Sequence, residues 1–440
     1  MLIPLAIILS SIMAVLIPFL PEWTYNILKG EFIIYVFIII YDMMKVKRLS
    51  LFHVWICSYI FIILSEMLIL SIDDYLGEYT IPIFFYLLAN NIVLVGYRLY
   101  KPKSQNIIKS HSARNTSALF ISLIILMVVY MIMNYERVIQ TAYLGRNETV
   151  ADSNPFLGGF IESLGILLPC FWGYYFRYIK PKSVLYSILL SAPIFIYQFI
   201  LATRFKLLFT LLPFLFITGI TTPSLNNTKK NILFVVIAIL FGFASSYLKD
   251  SRNSGSLNSD ESAYIGNMYA NEEPKDIFHA LALNMSPEGV IYMAKKADDY
   301  FANNPLSYGK ETAYILYFWV PRAIWPDKPT MLGNWLIRKT EIVSDTHSTS
   351  SGFLGELRAD FGWFSLVFAL LIGFLLKHCE LYIRRFSHSI PNVNYIMAVA
   401  LYSYFFFFVR SPLTATLVLI GEYIVFLGLK HLFFYYNKTT

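Results

Sequence analysis

The sequence is poor in charge and in cysteine for its length. Of its 440 residues only 14% are charged, against about 25% in soluble domains, and 57% are hydrophobic. A soluble chain could not keep so much apolar surface away from water. The three cysteines, Cys57, Cys170 and Cys379, stand far apart, and this argues against a disulfide framework or a metal cluster.

The sequence also lacks features that would define other classes of protein. It has no internal repeat, and its two halves lack the matched interrupted helices of inverted-repeat transporters. The long polar segment late in the chain has no Asp-x-Asp pair and no histidine-rich set, so we expect neither a metal nor another cofactor. Met1 is followed by an apolar run without a basic stretch, which predicts a retained first helix.

Apolar runs near the length that crosses a bilayer are, by contrast, abundant. About 20 apolar residues span the hydrocarbon as a helix, because only helices and closed barrels satisfy all backbone polar groups there. We therefore predict an all-α polytopic membrane protein with about 12 transmembrane helices. The predicted spans are centred near residues 2–20, 28–44, 51–71, 80–98, 117–135, 156–176, 184–203, 206–220, 231–248, 361–377, 393–409 and 412–430.

The basic residues in the turns predict the orientation. With both termini in the cytoplasm, the basic clusters within 45–48, 98–114 and 177–182 lie on the cytoplasmic side, as the positive-inside rule requires. The predicted organisation is then helices one to nine in residues 1–248, a large periplasmic loop in 249–360 and helices ten to twelve in 361–440.

The large loop predicts helices of its own. Residues 251–271 are rich in Ser, Asn and Gly and favour an irregular segment. Residues 277–301 carry apolar side chains at helical spacing, which predicts one amphipathic helix near the membrane surface. Residues 312–320 are apolar and aromatic, and we expect them to re-enter the membrane or to lie at its interface.

Two arginines stand at the outer ends of predicted spans. Arg204 lies in Leu201-Ala-Thr-Arg-Phe-Lys-Leu207 and Arg410 in Phe408-Val-Arg-Ser-Pro412, each between apolar runs with almost no turn. A charged residue at such a place is costly and is usually paired or functional. The alternative is an arginine that snorkels to lipid headgroups.

A proline-rich segment of the loop adds further candidates. Residues 319–329 read Trp-Val-Pro-Arg-Ala-Ile-Trp-Pro-Asp-Lys-Pro, so three prolines stiffen a backbone that carries Arg322, Trp325, Asp327 and Lys328. Guanidinium groups suit phosphate, and flat aromatic faces suit sugar rings. A rigid interfacial turn is the alternative.

The segment 347–363 leads to the mouth of predicted span ten. It supplies His347, Glu356, Arg358 and Asp360, for which ordinary helix capping is the alternative account. Arginines that converge on one outer cavity could hold a diphosphate without a metal, while a carboxylate or histidine takes a proton from an attacking hydroxyl. These residue types favour glycosyl transfer from a lipid-diphosphate donor at the outer face.

In layout and in three short motifs the chain resembles the Wzy-type O-antigen polymerases, which join oligosaccharide repeat units. The motifs are Ala202-Thr-Arg-Phe-Lys206, Pro321-Arg-Ala-Ile-Trp-Pro-Asp-Lys-Pro329 and Gly352-Phe-Leu-Gly-Glu-Leu-Arg-Ala-Asp-Phe-Gly-Trp363. The resemblance implies a GT-C-like glycosyltransferase of the cell inner membrane. It would move a growing glycan from undecaprenyl diphosphate onto a fresh lipid-linked repeat unit. The expected partners are this oligosaccharide, membrane lipid and a chain-length regulator, with no nucleic acid.

The residues and the resemblance together give three groups of candidate site residues. Those expected to hold the donor diphosphate are Arg204, Arg322, Arg410 and Lys328. The expected catalytic base is Glu356 or His347. Those expected to bind sugar are Trp325, Asp327 and Arg358, the last of which stands where the family commonly has an aromatic residue.

Three other functions remain open on the sequence. An O-antigen ligase, which moves finished glycan onto lipid A core, shares the helices, the loop and the arginines. A lipid-linked oligosaccharide flippase is the second alternative, since it also has twelve spans, although its loops are short. The third alternative is a protein whose large loop only scaffolds other proteins. The intramembrane polar residues compatible with a flippase, which helix–helix hydrogen bonds explain equally well, are Glu66, Asn90, Asn91, Glu162 and Glu422.

Overall fold

The protein forms a bundle of helices with further helices packed against one of its ends. The computed structural model describes residues 2–46, 50–72, 77–101, 111–113, 115–144, 155–200, 204–218, 274–285, 289–318, 320, 324–340, 350–386 and 392–436. The bundle helices are α1 (Leu2–Leu16), α2 (Thr24–Val46), α3 (Leu51–Leu70, with a π-helical section), α4 (Thr80–Leu99), α5 (Thr116–Leu144), α6 (Pro155–Tyr174), α7 (Val184–Ile200) and α8 (Arg204–Thr218). After them come α9 (Ile277–Met285), α10 (Val290–Ala302), α11 (Lys310–Tyr317), α12 (Leu332–Thr340), α13 (Gly352–Phe361), α14 (Ser365–Arg384), α15 (Tyr395–Phe408) and α16 (Pro412–Phe433).

A helix lies at each predicted span except the ninth, residues 231–248, which falls outside the described residues. In the described ranges, five helical segments are long and apolar enough to cross a bilayer, namely α3, α4, most of α5, α13 with α14, and α16. The helices α7 and α15 and most of α1 are apolar but shorter. The chain is a helical membrane protein, and the count of twelve spans stays a prediction. Two three-residue strands, β1 (His111–Ala113) and β2 (Phe434–Tyr436), pair antiparallel.

Two glycines let α4 and α14 approach closely. A Cβ atom on Gly96 would lie 2.5 Å from the carbonyl oxygen of Leu370, and one on Gly373 would lie 2.8 Å from the amide nitrogen of Tyr97. Small residues at such contacts allow tight helix packing in membranes, where the hydrophobic effect does not drive helices together. Because α14 follows α13 directly, this contact helps to position α13.

An ion-pair network lies at the helix ends that the sequence predicts to face the cytoplasm. Arg98 Nη2 lies 3.2 Å from the buried carboxylate of Asp42, and Tyr97 donates a 2.5 Å hydrogen bond to Glu380. Lys377 lies 3.8 Å from the same Glu380 carboxylate. Basic residues of the predicted inner turns thus neutralise buried acids, and the orientation in the membrane stays a prediction.

Polar residues inside the bundle make hydrogen bonds between helices. Trp55 Nε1 donates a 2.9 Å bond to Asn90, and Asn91 accepts bonds of 2.9 Å from Ser10 and 3.1 Å from Tyr35. Glu66 binds backbone of the late loop. These contacts fit the structural explanation of Asn90, Asn91 and Glu66, whereas neither carboxylate oxygen of Glu422 has a hydrogen-bond partner among the described residues.

A buried glutamate anchors the late loop to the bundle. The Glu66 carboxylate accepts hydrogen bonds from the backbone amides of Val290, Ile291 and Tyr292, at 2.7, 3.0 and 2.9 Å. It therefore satisfies the free N–H groups at the start of α10 and its charge matches the helix dipole. The prediction of a single helix over 277–301 is wrong, because Gly289 has a φ of 73° and separates α9 from α10.

Other contacts hold α13 against the same end of the bundle. The Phe353 amide donates a 3.1 Å hydrogen bond to the Val409 carbonyl after α15, and the Tyr86 hydroxyl of α4 donates to the Ser351 carbonyl. Near α9, Asp276 binds the Tyr25 hydroxyl at 2.6 Å. The loop helices thus meet the end of α3, the end of α15 and the beginnings of α2 and α4. The irregular segment predicted at 251–271 lies outside the described residues.

Candidate functional site

Helix α13 presents two chemically different faces. Glu356 and Asp360 are four residues apart, so they share one face of the helix, whereas Arg358 points to the other side. The first face meets α11 and the start of α16. The second meets α10 and the start of α4.

The first face of α13 forms a group of buried carboxylates with α11. Asp360 accepts hydrogen bonds from the amides of Gly309, Glu311 and Thr312 at 2.8–3.1 Å, and so caps the start of α11. Glu356 is 5% exposed and accepts a hydrogen bond from the Leu413 amide at the start of α16. Its Oε2 atom is buried and has no hydrogen-bond partner among the described residues.

Glu311 completes this carboxylate group. Its Oε1 atom accepts a 3.1 Å hydrogen bond from Trp335 Nε1 of α12. Burial raises the pKa of Glu311 to about 7, and the negative charge of Asp360 contributes in the same direction. The group therefore contains a carboxyl that changes protonation near neutral pH, which is typical of sites that exchange protons.

The second face of α13 lines a cleft. Its volume is about 380 Å³, within the usual range of about 300–1,000 Å³ for small-molecule sites. The cleft lies between α10, α13 and the chain that precedes and begins α4. The polar and aromatic side chains on its walls are Glu78, Lys295, Asp298, Asp299, Phe301, Arg358 and Trp363.

An arginine–aspartate pair lies in the wall of the cleft. Arg358 Nε lies 2.9 Å from Asp298 Oδ1, and the guanidinium stacks 4.2 Å from the centre of the Phe85 ring. One atom of each partner, Arg358 Nη1 and Asp298 Oδ2, is buried without a hydrogen-bond partner in the described part of the chain. Burial raises the pKa of Asp298 to about 6, although the Arg358 charge opposes this rise. The sugar-binding role of Arg358 stays a prediction, and the structure gives it an acidic neighbour.

The remaining candidates in the described residues lie around α11 and the start of α16. Arg410 is in the turn between α15 and α16, with its guanidinium 5.5 Å from the centre of the Phe407 ring. Lys328 is 7% exposed and its ammonium donates to the carbonyls of Phe318 and Val320 at 2.8 and 2.9 Å. These carbonyls follow the last turn of α11, so Lys328 has a capping role that competes with the diphosphate role predicted for it.

Two of the predicted sugar-binding residues are on the outside of this region. Trp325 is 39% exposed and packs 5.5 Å from the ring of Tyr317, and Asp327 is exposed. Neither lines the cleft of Arg358. The structure therefore divides the predicted sugar-binding residues between two places.

Three predicted site residues cannot be compared with the structure. Arg322 and His347 lie outside the described residues. Arg204 begins helix α8, and its side chain is outside the described part of the chain. Whether Arg204, Arg322 and Arg410 converge on one diphosphate stays a prediction.

The sequence does not single out Asp298 and Lys295 as site residues. They belong to a charged cluster at the end of a predicted amphipathic helix, where solvated charge is the ordinary expectation. Only the fold brings Asp298 to Arg358, which is 60 positions away in the chain. The spacing of residues along the chain gives no signal of this pairing.

The acidic side chains of the site do not form a metal centre in the part of the chain that the structure describes. Within the described ranges, no group of three or more His, Cys, Asp or Glu side chains is arranged to hold a metal ion. The fold and the site define a helical membrane protein whose late loop carries buried carboxylates and a charged cleft. Comparison with protein-family models, curated proteins and solved structures finds no match to this chain.

Proposed function

We propose that this protein is an O-antigen polymerase, a GT-C-like glycosyltransferase that joins undecaprenyl-diphosphate-linked repeat units at the outer face of the inner membrane without a metal. The observation that carries the proposal is the position of α13. This helix lies between the end of the bundle and the loop helices, with a partly satisfied carboxylate on one face and an arginine-containing cleft on the other. A lipid-linked substrate could reach such a site from the bilayer.

The reaction needs a proton acceptor and a stabilised leaving group. The acceptor hydroxyl gives its proton to a carboxylate, and its oxygen forms the new bond to the anomeric carbon of the donor glycan. The bond from that carbon to undecaprenyl diphosphate breaks, and the diphosphate leaves with the electron pair. Fixed cations stabilise the charge that develops on it.

Glu356 suits the role of proton acceptor. One of its oxygens is held by the Leu413 amide, which fixes the carboxylate in place, while the buried Oε2 lacks a partner among the described residues. A general base must be able to reach the proton that it takes, so this role requires that substrate binding uncovers Oε2. His347 remains the alternative base. Arg204, Arg322 and Arg410 are the proposed cations for the diphosphate, with Lys328 as a further candidate.

Deletion of the gene distinguishes this function from its rivals. In a strain that makes O-antigen, loss of a polymerase leaves lipopolysaccharide capped with one repeat unit. Loss of a ligase leaves none on lipid A core, and loss of a flippase keeps the repeat unit on the cytoplasmic side. The lipopolysaccharide ladder on a gel separates the first outcome from the other two, which both leave lipid A core without O-antigen. A full-length ladder in the deletion strain would contradict the proposal, and a complemented strain is the control.

A further inference from the structure

A second pocket lies at the end of the bundle opposite to helix α13. Gly173 lines it, and the ring of the neighbouring Tyr174 lies 6.1 Å from the ring of Phe434, which directly follows α16. The other end of α16 contacts α13, through the Leu413 amide. Because α16 has 22 residues, about 33 Å separate its two ends. The pocket is therefore remote from the site proposed for glycosyl transfer.

The polar walls of this pocket are basic. Its volume is about 140 Å³, and it lies between the end of α6, the start of α7 and the end of α8. The polar side chains that line it are Arg177, Lys182, Ser187 and Thr218, and no Asp or Glu is among the described lining residues. Two cations without a neighbouring carboxylate attract an anion.

Arg177 is positioned by the end of α8. It stands in the π-helical turn Tyr175–Ile179, and its Nη1 atom donates a 2.8 Å hydrogen bond to the Ile217 carbonyl. This bond satisfies a free carbonyl in the last turn of α8. The Nη2 and Nε atoms make no hydrogen bond to described residues and are not buried. The guanidinium thus has a fixed position and keeps donors for a ligand.

The surroundings of Lys182 resemble those of residues at a membrane surface. The Lys182 side chain is exposed, and its ammonium lies 5.0 Å from the centre of the Tyr186 ring. Tyrosine is common at the level of lipid headgroups. Along α7 from this point, Leu185, Leu189 and Ile196 are each more than half exposed, and their spacing puts them on one face. An apolar face that leads away from a basic pocket suits a ligand with acyl chains.

We infer that this pocket binds the phosphate of an anionic phospholipid, with Arg177 and Lys182 as donors and the acyl chains along α7. Basic pockets between transmembrane helices on the cytoplasmic side are suited to anionic headgroups. The predicted orientation places this lipid in the cytoplasmic leaflet. The inference does not rest on the proposed polymerase function, because it uses no residue of that site.

Lipid titration of the purified protein tests the pocket. The full-length protein in detergent is titrated with dioleoyl phosphatidylglycerol, and bound lipid is measured by native mass spectrometry. Lys182→Gln and Arg177→Gln are each expected to weaken binding about fivefold, the usual contribution of one basic residue to the attraction of an anionic lipid. Lys180→Gln is the matched control, because Lys180 is exposed in the same turn and does not line the pocket.

Two other ligands identify what the pocket recognises. Dioleoyl phosphatidylcholine has the same chains but a headgroup without net charge, and glycerol 1-phosphate has the anion without the chains. We expect both to bind more weakly than phosphatidylglycerol. Arg177→Gln also loses the contact with α8, so Lys182→Gln, at an exposed residue, decides the test if Arg177→Gln lowers the melting temperature.

The outcomes separate a lipid site from its alternatives. A preference for phosphatidylglycerol that Lys182→Gln weakens and Lys180→Gln leaves unchanged supports the inference. Equal binding of the two phospholipids would overturn it. Equal weakening by Lys180→Gln would overturn it as well, because it would mean attraction by surface charge without a site. Glycerol 1-phosphate that binds as tightly as phosphatidylglycerol would assign the pocket to free phosphate instead.

Discussion

Replacing Glu66 should loosen the late loop from the bundle. Its carboxylate is fully buried and accepts three backbone hydrogen bonds at the start of α10. Glu66→Gln is nearly isosteric and keeps one oxygen, Oε1, which can still serve Ile291 and Tyr292. It loses the oxygen that accepts from Val290, and it loses the negative charge.

The size of the effect follows from the three contacts and the usual strength of such interactions. A hydrogen bond to a charged group contributes about 1.5–3 kcal/mol, and a charge at a helix N-terminus contributes up to about 2 kcal/mol in partly buried settings. We expect Glu66→Gln to destabilise the attachment of α10 by about 2–4 kcal/mol, since these contributions do not add fully. Amide exchange at residues 290–292 should then become about 30- to 700-fold faster if it occurs through local opening.

Glu422 supplies the matched control. It is also a buried glutamate of the bundle, 1% exposed in α16, but neither of its carboxylate oxygens has a hydrogen-bond partner in the described part of the protein. Glu422→Gln removes no hydrogen bond and replaces an ionisable group by a neutral one. We expect its thermal stability in detergent to match or exceed that of the wild type.

Hydrogen–deuterium exchange with mass spectrometry and thermal unfolding in detergent measure both variants. The expected result is faster exchange at the start of α10 and lower stability in Glu66→Gln alone. Wild-type exchange over 290–292 in Glu66→Gln would refute the reasoning, because it would mean that the three hydrogen bonds do not hold the loop. Equal loss of stability in both variants would refute it as well.

Three further predictions follow from other contacts. Because burial raises the folded-state pKa of Glu311 to about 7, the stability that this carboxyl contributes is full below about pH 4.5 and is lost as pH rises through 7. The total change in the free energy of unfolding is on the order of 3 kcal/mol. Thermal melting over a series of pH values should show this dependence in the wild type and a flatter one in Glu311→Gln. Gly373→Ala places a methyl group against α4 near Tyr97 and should destabilise the protein by about 1–3 kcal/mol, measured as a lower melting temperature, whereas Gly428→Ala, with open space around it, should not. Arg204→Lys keeps the charge but loses the bidentate fork, so a complemented deletion strain should show a shortened ladder; a wild-type ladder would remove Arg204 from the proposed clamp.

The bundle could be predicted from the sequence because its signal is local. Apolar runs of bilayer length place most helices to within a few residues. Pro412 marks the start of α16, because proline is favoured at the first position of a helix. The break between α9 and α10 does have a signal in the sequence, since Ser286-Pro287-Glu288-Gly289 joins a proline to a glycine. The prediction of one helix rested on the apolar spacing on either side of these four residues and gave that signal too little weight.

The candidate site could be predicted only in part, because its geometry is made by distant contacts. Glu356 and Arg358 stand close together in the sequence, yet the helix turns them to opposite sides. Glu66 meets Val290 from 224 positions away, and nothing near Glu66 in the sequence shows that it caps a helix. The same holds for Asp298, which appears as a solvated charge until the fold places it beside Arg358. Such pairings follow from how the loop packs on the bundle.

Reconstitution of the purified protein tests the central claim most directly. The protein in liposomes is supplied with undecaprenyl-diphosphate-linked repeat units and excess chelator, and the products are resolved by length. We predict polymers of many repeat units, with release of undecaprenyl diphosphate, and loss of these polymers in Glu356→Gln if Glu356 is the base. Lipid-linked material that stays at one repeat unit with the wild-type protein would contradict the account.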